Sequence, residues 1–221
     1  MKSLMFKLVT DLISVLCIGE RRLNILIFHR VIESYDFMRP DEITSKEFDE
    51  KMQLLTHYFT PLPLSEAVEK LKNNTLPKRA ICVTFDDGYR DNAEVAFPIL
   101  KKWDIPATFF IASGVLDKKI MWNDKVIETV RRYKGEILDL SNIGLGHLRT
   151  ATKEQKLEAA RFIIKEIKYN HIIERDRKVS VITSHVDTLQ ENMMMNVDHI
   201  KHMNCEGIEI GAHTVNHPIS S

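Results

Sequence analysis

Cysteine is scarce in this chain. Cys17, Cys82 and Cys205 are widely spaced, odd in number and outside any CxxC pattern, so a disulfide framework does not organise the fold. The count suits a reducing compartment without requiring one. Charge of either sign is not in excess, with Lys plus Arg and Asp plus Glu at 31 each. No global field then favours nucleic acid or an anionic membrane, and a neutral polymer or small molecule is the expected partner. No uninterrupted apolar run reaches about 18 residues, which excludes an evident transmembrane span. Internal repeats, low-complexity tracts and interdomain linkers are also missing. What remains is an ordinary globular composition, 44% hydrophobic and 28% charged over 221 residues, enough to bury the core of one domain.

Residues 1–22 begin MKSLMFKLVTDLISVLCI, apolar enough to resemble a signal sequence. Lys7 and Asp11 interrupt the run, however, and no small-residue cleavage site follows. Leu4, Leu8, Leu12 and Leu16 recur at helical spacing instead and predict an N-terminal amphipathic helix. It is expected to pack on the domain, with a membrane-surface helix or an uncleaved anchor as alternatives. The expected location is the cytoplasm or the periphery of the inner membrane.

Residues 23–221 read as alternating strands and helices. Asn24 to Phe28, NILIF, is a short continuous apolar run and is expected to be a fully buried strand ending at His29. Thr44 or Ser45 starts a helix with Glu47 early in it and Phe48, Met52, Leu55 and Phe59 on one face. A second helix runs from Ser65 to Leu71, and a strand from Ala80 to Phe85. A helix over Asn92 to Trp103 and the strand Ala107 to Ile111 follow. Such alternation is the mark of an α/β fold with a parallel sheet. Between about residues 114 and 195 a helical insertion is expected, with helices over Trp122 to Arg132, Lys153 to Tyr169 and His171 to Thr183, and a loop holding Gly144 and Gly146. Val197 to Met203 is a short helix, and Ile208 to Ala212 a last strand.

Two stretches carry chemistry. ICVTFDDGY, Ile81 to Tyr89, is an apolar strand that delivers adjacent carboxylates, Asp86 and Asp87, to the carboxyl end of the sheet, where such folds place their sites. Neighbouring residues at a strand end point different ways, so one aspartate can bind a metal while the other accepts a proton. DDG taken alone also fits a simple turn and helix cap. In IEIGAHTVNHP, Ile208 to Pro218, His213 and His217 stand at i and i+4, a spacing used by paired metal ligands. Two histidines and one carboxylate leave positions open for water and substrate. His29 is a candidate substrate contact or a structural histidine, Trp122 a sugar-stacking or a core residue, and Thr214 a ligand-positioning or a turn residue. Met193 to Met195 are expected as core filler. His199, His202 and Cys205 are expected on the surface or in the core rather than in a metal cluster.

TFDDGY (Thr84 to Tyr89) and HTVNH (His213 to His217) resemble the first two motifs of the polysaccharide deacetylase family, carbohydrate esterase family 4. ILIFHRV at Ile25 to Val31, PILKKWDIPATFFIA at Pro98 to Ala112 and MWND at Met121 to Asp124 extend the similarity, toward a branch associated with bacterial exopolysaccharide. The resemblance implies a deformed (β/α) barrel and a hydrolase that removes N-acetyl groups from a sugar polymer or oligosaccharide. It makes Asp86 the catalytic base and Asp87, His213 and His217 the ligands of a divalent metal, zinc in the first place, with Co2+, Ni2+ or Mn2+ as alternatives. His29, Tyr89, Trp122 and Thr214 become candidate substrate contacts. The family's later motifs, which supply an arginine, a Pro-aromatic segment and a Leu-x-x-His acid, have no counterpart before Ser221. The expectation is therefore a C-terminally truncated barrel with an open edge and no assignable general acid or oxyanion donor. The alternatives are an impaired fragment that binds metal or glycan without turnover, and a polysaccharide O-acetyl esterase.

Overall fold

The computed structural model describes residues 22–117, 120–189 and 192–215. The expected amphipathic helix lies outside the described residues but for Arg22. No helix among the described residues is long and apolar enough to cross a membrane.

The centre of the fold is β5 (Ala80–Phe85), buried at every position. Its two faces serve two cores, as the period of two in a strand requires. Ile81, Val83 and Phe85 join one cluster with Phe48, Met52, Phe97 and Phe109, while Ala80 and Cys82 join Ala67 and Leu76. Cys82 is a small core residue, and burial pushes its thiol up to about 11. β5 pairs in parallel with β1 (Asn24–Phe28) and with β6 (Ala107–Ile111), which pairs with β9 (Glu209–Ala212). The sheet order is β1-β5-β6-β9, and the two-residue β4 (Thr60–Pro61) pairs with the start of β5. A second small pairing joins β2 (Val31–Ile32) to β3 (Ile43–Thr44).

The helices follow from capping and spacing. α1 (Ser45–Tyr58) opens on a capping box in which Thr44 and Glu47 satisfy each other's backbone N–H. Its Phe48, Met52 and Leu55, spaced four and three apart, are the buried face. α2 (Leu64–Lys72) covers the face of β5 that carries Cys82. The helix expected over residues 92–103 divides into a π-helical turn, Asn92–Ala96, and α3 (Phe97–Lys102), with Pro98 in the first turn of α3, where no N–H is needed. α7 (Val197–Cys205) is capped by Asn196, whose own N–H meets His199 Nδ1, so His199 is a capping residue.

β1 forms where expected but is not buried: Ile25, Leu26 and Ile27 are 45%, 37% and 61% exposed. Among the described residues β1 is an edge strand, paired on one side only. A five-residue apolar run marks a strand without telling whether both its faces are covered.

The segment after β6 has its own apolar core. α4 (Trp122–Arg132), α5 (Lys153–Ile167) and α6 (Ile172–Thr183) pack Val126, Val130, Ile163, Ile167, Val179 and Ile182 together with Leu138 and Leu140. The last two come from a hairpin, β7 (Ile137–Leu140) and β8 (Gly146–Arg149), where a loop is expected from sequence. Gly144, at φ +79°, closes its turn, and Gly146, at φ +68°, opens β8. Four-residue strands carry too few alternations to stand out from a loop.

Candidate functional site

Phe28, Phe85 and Phe109 lie side by side across β1, β5 and β6, with Phe85 and Phe109 stacked at 4.5 Å. In this row Phe85 and Phe109 are buried and Phe28 is half-buried, and Phe28 and Phe85 are the last residues of their strands. The next residue on β5 is Asp86, whose N–H donates to the Phe28 carbonyl at 2.9 Å. The chain then turns sharply through Asp87 and Gly88, at φ +76° and +85°. The turn is clamped from both sides. Ala112 N–H donates to the Asp87 carbonyl, Met195 N–H to the Gly88 carbonyl and Arg90 N–H to the Met193 carbonyl. Met193, Met194 and Met195 are thus buried supports of the turn. A side chain at Gly88 would meet Ile111 at 3.2 Å in a conformation that disfavours one. Gly88→Ala is expected to cost about 1–3 kcal/mol, read as a lower urea midpoint.

β9 delivers the second element. His213 N–H donates to the Ile111 carbonyl at 2.9 Å, and Thr214, at φ +63°, accepts Ser113 N–H through its carbonyl. The β6–β9 pairing carries His213 to the same end of the sheet as Asp87. His213 Nε2 stands 3.5 Å from Asp87 Oδ1, with Asp87 only 4% exposed. Ligands at zinc-like distances in a tetrahedral shell stand ~3.4 Å apart. An imidazole nitrogen and a carboxylate oxygen at this separation therefore fit two ligands of one divalent cation. His217 lies outside the described residues, and no cluster of three metal-ligating side chains occurs among the described residues.

The other candidate residues differ in placement. Asp86 is half-buried, so its carboxylate stays within reach of water. His29 is exposed and follows Phe28 as Asp86 follows Phe85, two strands in register. Thr214 is exposed beside His213. Tyr89 is 3% exposed, and its hydroxyl donates to Asp124 Oδ2 at 2.8 Å, which leaves it no open face for a sugar. Trp122 packs on the helical core with the Arg175 guanidinium over its ring, so that face is not free to stack on a sugar.

Tyr89 leads into a buried ionic cluster that nothing in the sequence pattern announces. Asp124, at the start of α4, accepts from Tyr89 and from Arg39 Nη2 at 2.8 Å and faces Arg30 Nη1 at 3.7 Å. Arg30 pairs with Asp91 at 2.6 Å and covers the Tyr89 ring at 4.5 Å. Arg39 continues to Glu128 and Asp36, and Asp36 to Arg131. Burial drives the Tyr89 hydroxyl well above its usual range, reinforced by Asp124. Burial also raises the Asp91 carboxyl, against the pull of Arg30. The charges come from residues 30 to 131, too dispersed to form a motif.

Asp36 gives the cluster a pH signature. Burial would raise its carboxyl, but hydrogen bonds from Arg131 and the Met38 N–H outweigh this and lower it from 3.8 to about 2. A depressed carboxylate stabilises the fold above its unfolded value and loses that contribution as pH falls through the folded one. The stability difference between wild type and Asp36→Asn is thus expected to be constant above 3.8 and to shrink as pH falls toward about 2. Urea titrations across that window check it.

The polysaccharide deacetylase family model matches residues 73–221, more than half of the chain. The chain belongs to the polysaccharide deacetylase family. Among relatives, YxkH of Bacillus subtilis (strain 168) is 32% identical over 100 residues, 44% of this chain and 34% of that protein. The poly-beta-1,6-N-acetyl-D-glucosamine N-deacetylase of Staphylococcus aureus (strain MSSA476) is 31% identical over 113 residues, 51% of this chain and 37% of that protein. The chain thus spans about a third of the length of these curated relatives. Of solved structures, a de-N-acetylase from Aggregatibacter actinomycetemcomitans aligns at a TM-score of 0.46 and 18% identity, covering 87% of this chain and 55% of that one. The α/β class with a parallel sheet, expected from sequence, is the class observed.

Proposed function

We propose that this protein hydrolyses N-acetyl groups of a sugar polymer, releasing acetate and leaving a free amine. The observation that carries this reading is the buried Asp87 within 3.5 Å of His213, beside a second, water-accessible aspartate on the same turn. Asp87 and His213 would hold a divalent cation, with His217 as the further ligand expected from sequence. Such a cation polarises the acyl carbonyl and makes water easier to deprotonate. Asp86 takes the proton of the attacking water. The departing nitrogen needs a proton in return. His29, exposed and one residue beyond the Phe28–Phe85 register pair, is the candidate we put forward to supply it. The relative that acts on poly-beta-1,6-N-acetyl-D-glucosamine favours an exopolysaccharide of acetylated glucosamine as the substrate class.

Acetate release from acetylated glucosamine oligosaccharides, lost on chelation and restored by added zinc, cobalt, nickel or manganese, tests the reading. Activity indifferent to chelation would sink it. His29→Gln is expected to slow amide hydrolysis about 10²-fold and to spare an aryl acetate, whose leaving group needs no proton. Equal losses on both substrates would remove His29 from the acid role.

A further inference from the structure

Trp122 opens α4, Arg175 lies in the first turn of α6, and the guanidinium sits 4.8 Å from the indole centroid. Arg175 is 4% exposed, yet among the described residues its side chain makes no hydrogen bond or ion pair, and its Nε is buried without a partner. The arginines of the ionic cluster, by contrast, meet carboxylates: Arg39 meets Asp36, Asp124 and Glu128, and Arg30 meets Asp91. A buried cation without an anion is costly, and an aromatic face offsets only part of that cost.

The surroundings add donors without adding an anion. Met121 and His171, which precede α4 and α6, provide no side-chain cap to the first-turn N–H groups. The contact of Trp122 with Arg175 brings the starts of the two helices together, and a helix start favours an anion. The acids of the two first turns are committed elsewhere, Asp124 to Arg39 and Tyr89, Glu174 to Arg177. Asn123 Oδ1, next to Trp122, is a buried acceptor without a partner among the described residues. It suits a hydroxyl of whatever carries the anion.

We propose that Arg175, braced on Trp122 between the starts of α4 and α6, binds an oxyanion group, the carboxylate of an acidic sugar or a phosphate. The guanidinium fork matches either group with two parallel N–H donors. The site does not depend on the deacetylation chemistry and stands whether or not that reading holds.

The chain has two tryptophans, Trp103 and Trp122, so in the full chain carrying Trp103→Phe the indole emission reports on Trp122 alone. This protein is titrated with glucuronate and with inorganic phosphate, and with glucose and sodium chloride at matched ionic strength as controls. A saturable change with glucuronate, phosphate or both, and none with the controls, is expected; the arm that saturates at lower concentration names the source. Arg175→Met should weaken the response about tenfold or more, and Arg175→Lys, which keeps the charge but loses the fork, by less. The preferred anion should raise the thermal midpoint of the parent and leave that of Arg175→Met unmoved. Without anion, Arg175→Met should be at least as stable as the parent, because the removed charge had no anionic partner and the methionine side chain can still pack on Trp122. No saturable response to either anion, or an affinity unchanged by both Arg175 variants, overturns the proposal. So does a lower midpoint for Arg175→Met together with no anion response, which would mark Arg175 as a structural cation. If Arg175→Met does not fold, Arg175→Lys carries the comparison.

Discussion

Asp86→Asn is expected to reduce acetate release toward the upper end of the ~10²- to 10⁴-fold range of acid–base catalysis, while metal content and KM stay close to those of the wild type. The expectation follows from the division of labour at the turn. Asp86 is half-buried and can reach water, whereas Asp87 is buried and turned toward His213. Asparagine keeps the shape of Asp86 and removes its basicity. His213→Ala should act in the opposite order, lowering metal affinity first and activity as a consequence, so excess metal should partly restore His213→Ala and leave Asp86→Asn inactive. Metal content is read by elemental analysis after dialysis, and turnover by acetate release. Asp86→Asn turning over at the wild-type rate would remove the base assignment, and His213→Ala with unchanged metal affinity would remove the ligand pair.

The strands and helices around this turn were legible because their signals are local. ATFFI and the Trp122–Arg132 helix appear with the expected bounds, and Thr44 with Glu47 makes the capping box that their spacing suggests. The meeting of His213 with the aspartate turn was legible for a different reason: both follow apolar strands, and strands of one parallel sheet end on one side, while the choice of Asp87 over Asp86 came from the family resemblance. Three features were not legible. Burial of β1 depends on what lies beside it, which five apolar residues do not encode. The β7–β8 hairpin rests on four-residue strands whose inward residues, Leu138 and Leu140, resemble any short apolar pair. The role of Tyr89 was hidden by its position in the motif, since adjacency to DDG suggested substrate contact while its hydroxyl reaches 35 residues away to Asp124.

That long-range bond makes Asp124→Ala the substitution with the largest expected effect on stability, about 3–5 kcal/mol. Alanine would leave Arg39 and Arg30 short of a carboxylate in a buried setting and strip Tyr89 of its acceptor. The cost arises less from the loss of an attractive pair than from the charges left behind, because a buried ion pair replaced as a whole can be nearly neutral. Asp124→Leu combined with Arg39→Met should therefore recover part of the loss that Asp124→Ala incurs alone, because Glu128 and Asp36, the other partners of Arg39, keep Arg131. Tyr89→Phe is expected to cost about 1–3 kcal/mol by leaving one oxygen of Asp124 without its donor. Urea denaturation of the four proteins measures these differences. Since Tyr89 is two residues from Asp87, metal affinity should fall in Asp124→Ala as well, through a turn that is no longer held from behind. If Asp124→Ala were as stable as the wild type, the cluster would be a hydrated surface feature, and the helical segment would not be what supports the DDG turn.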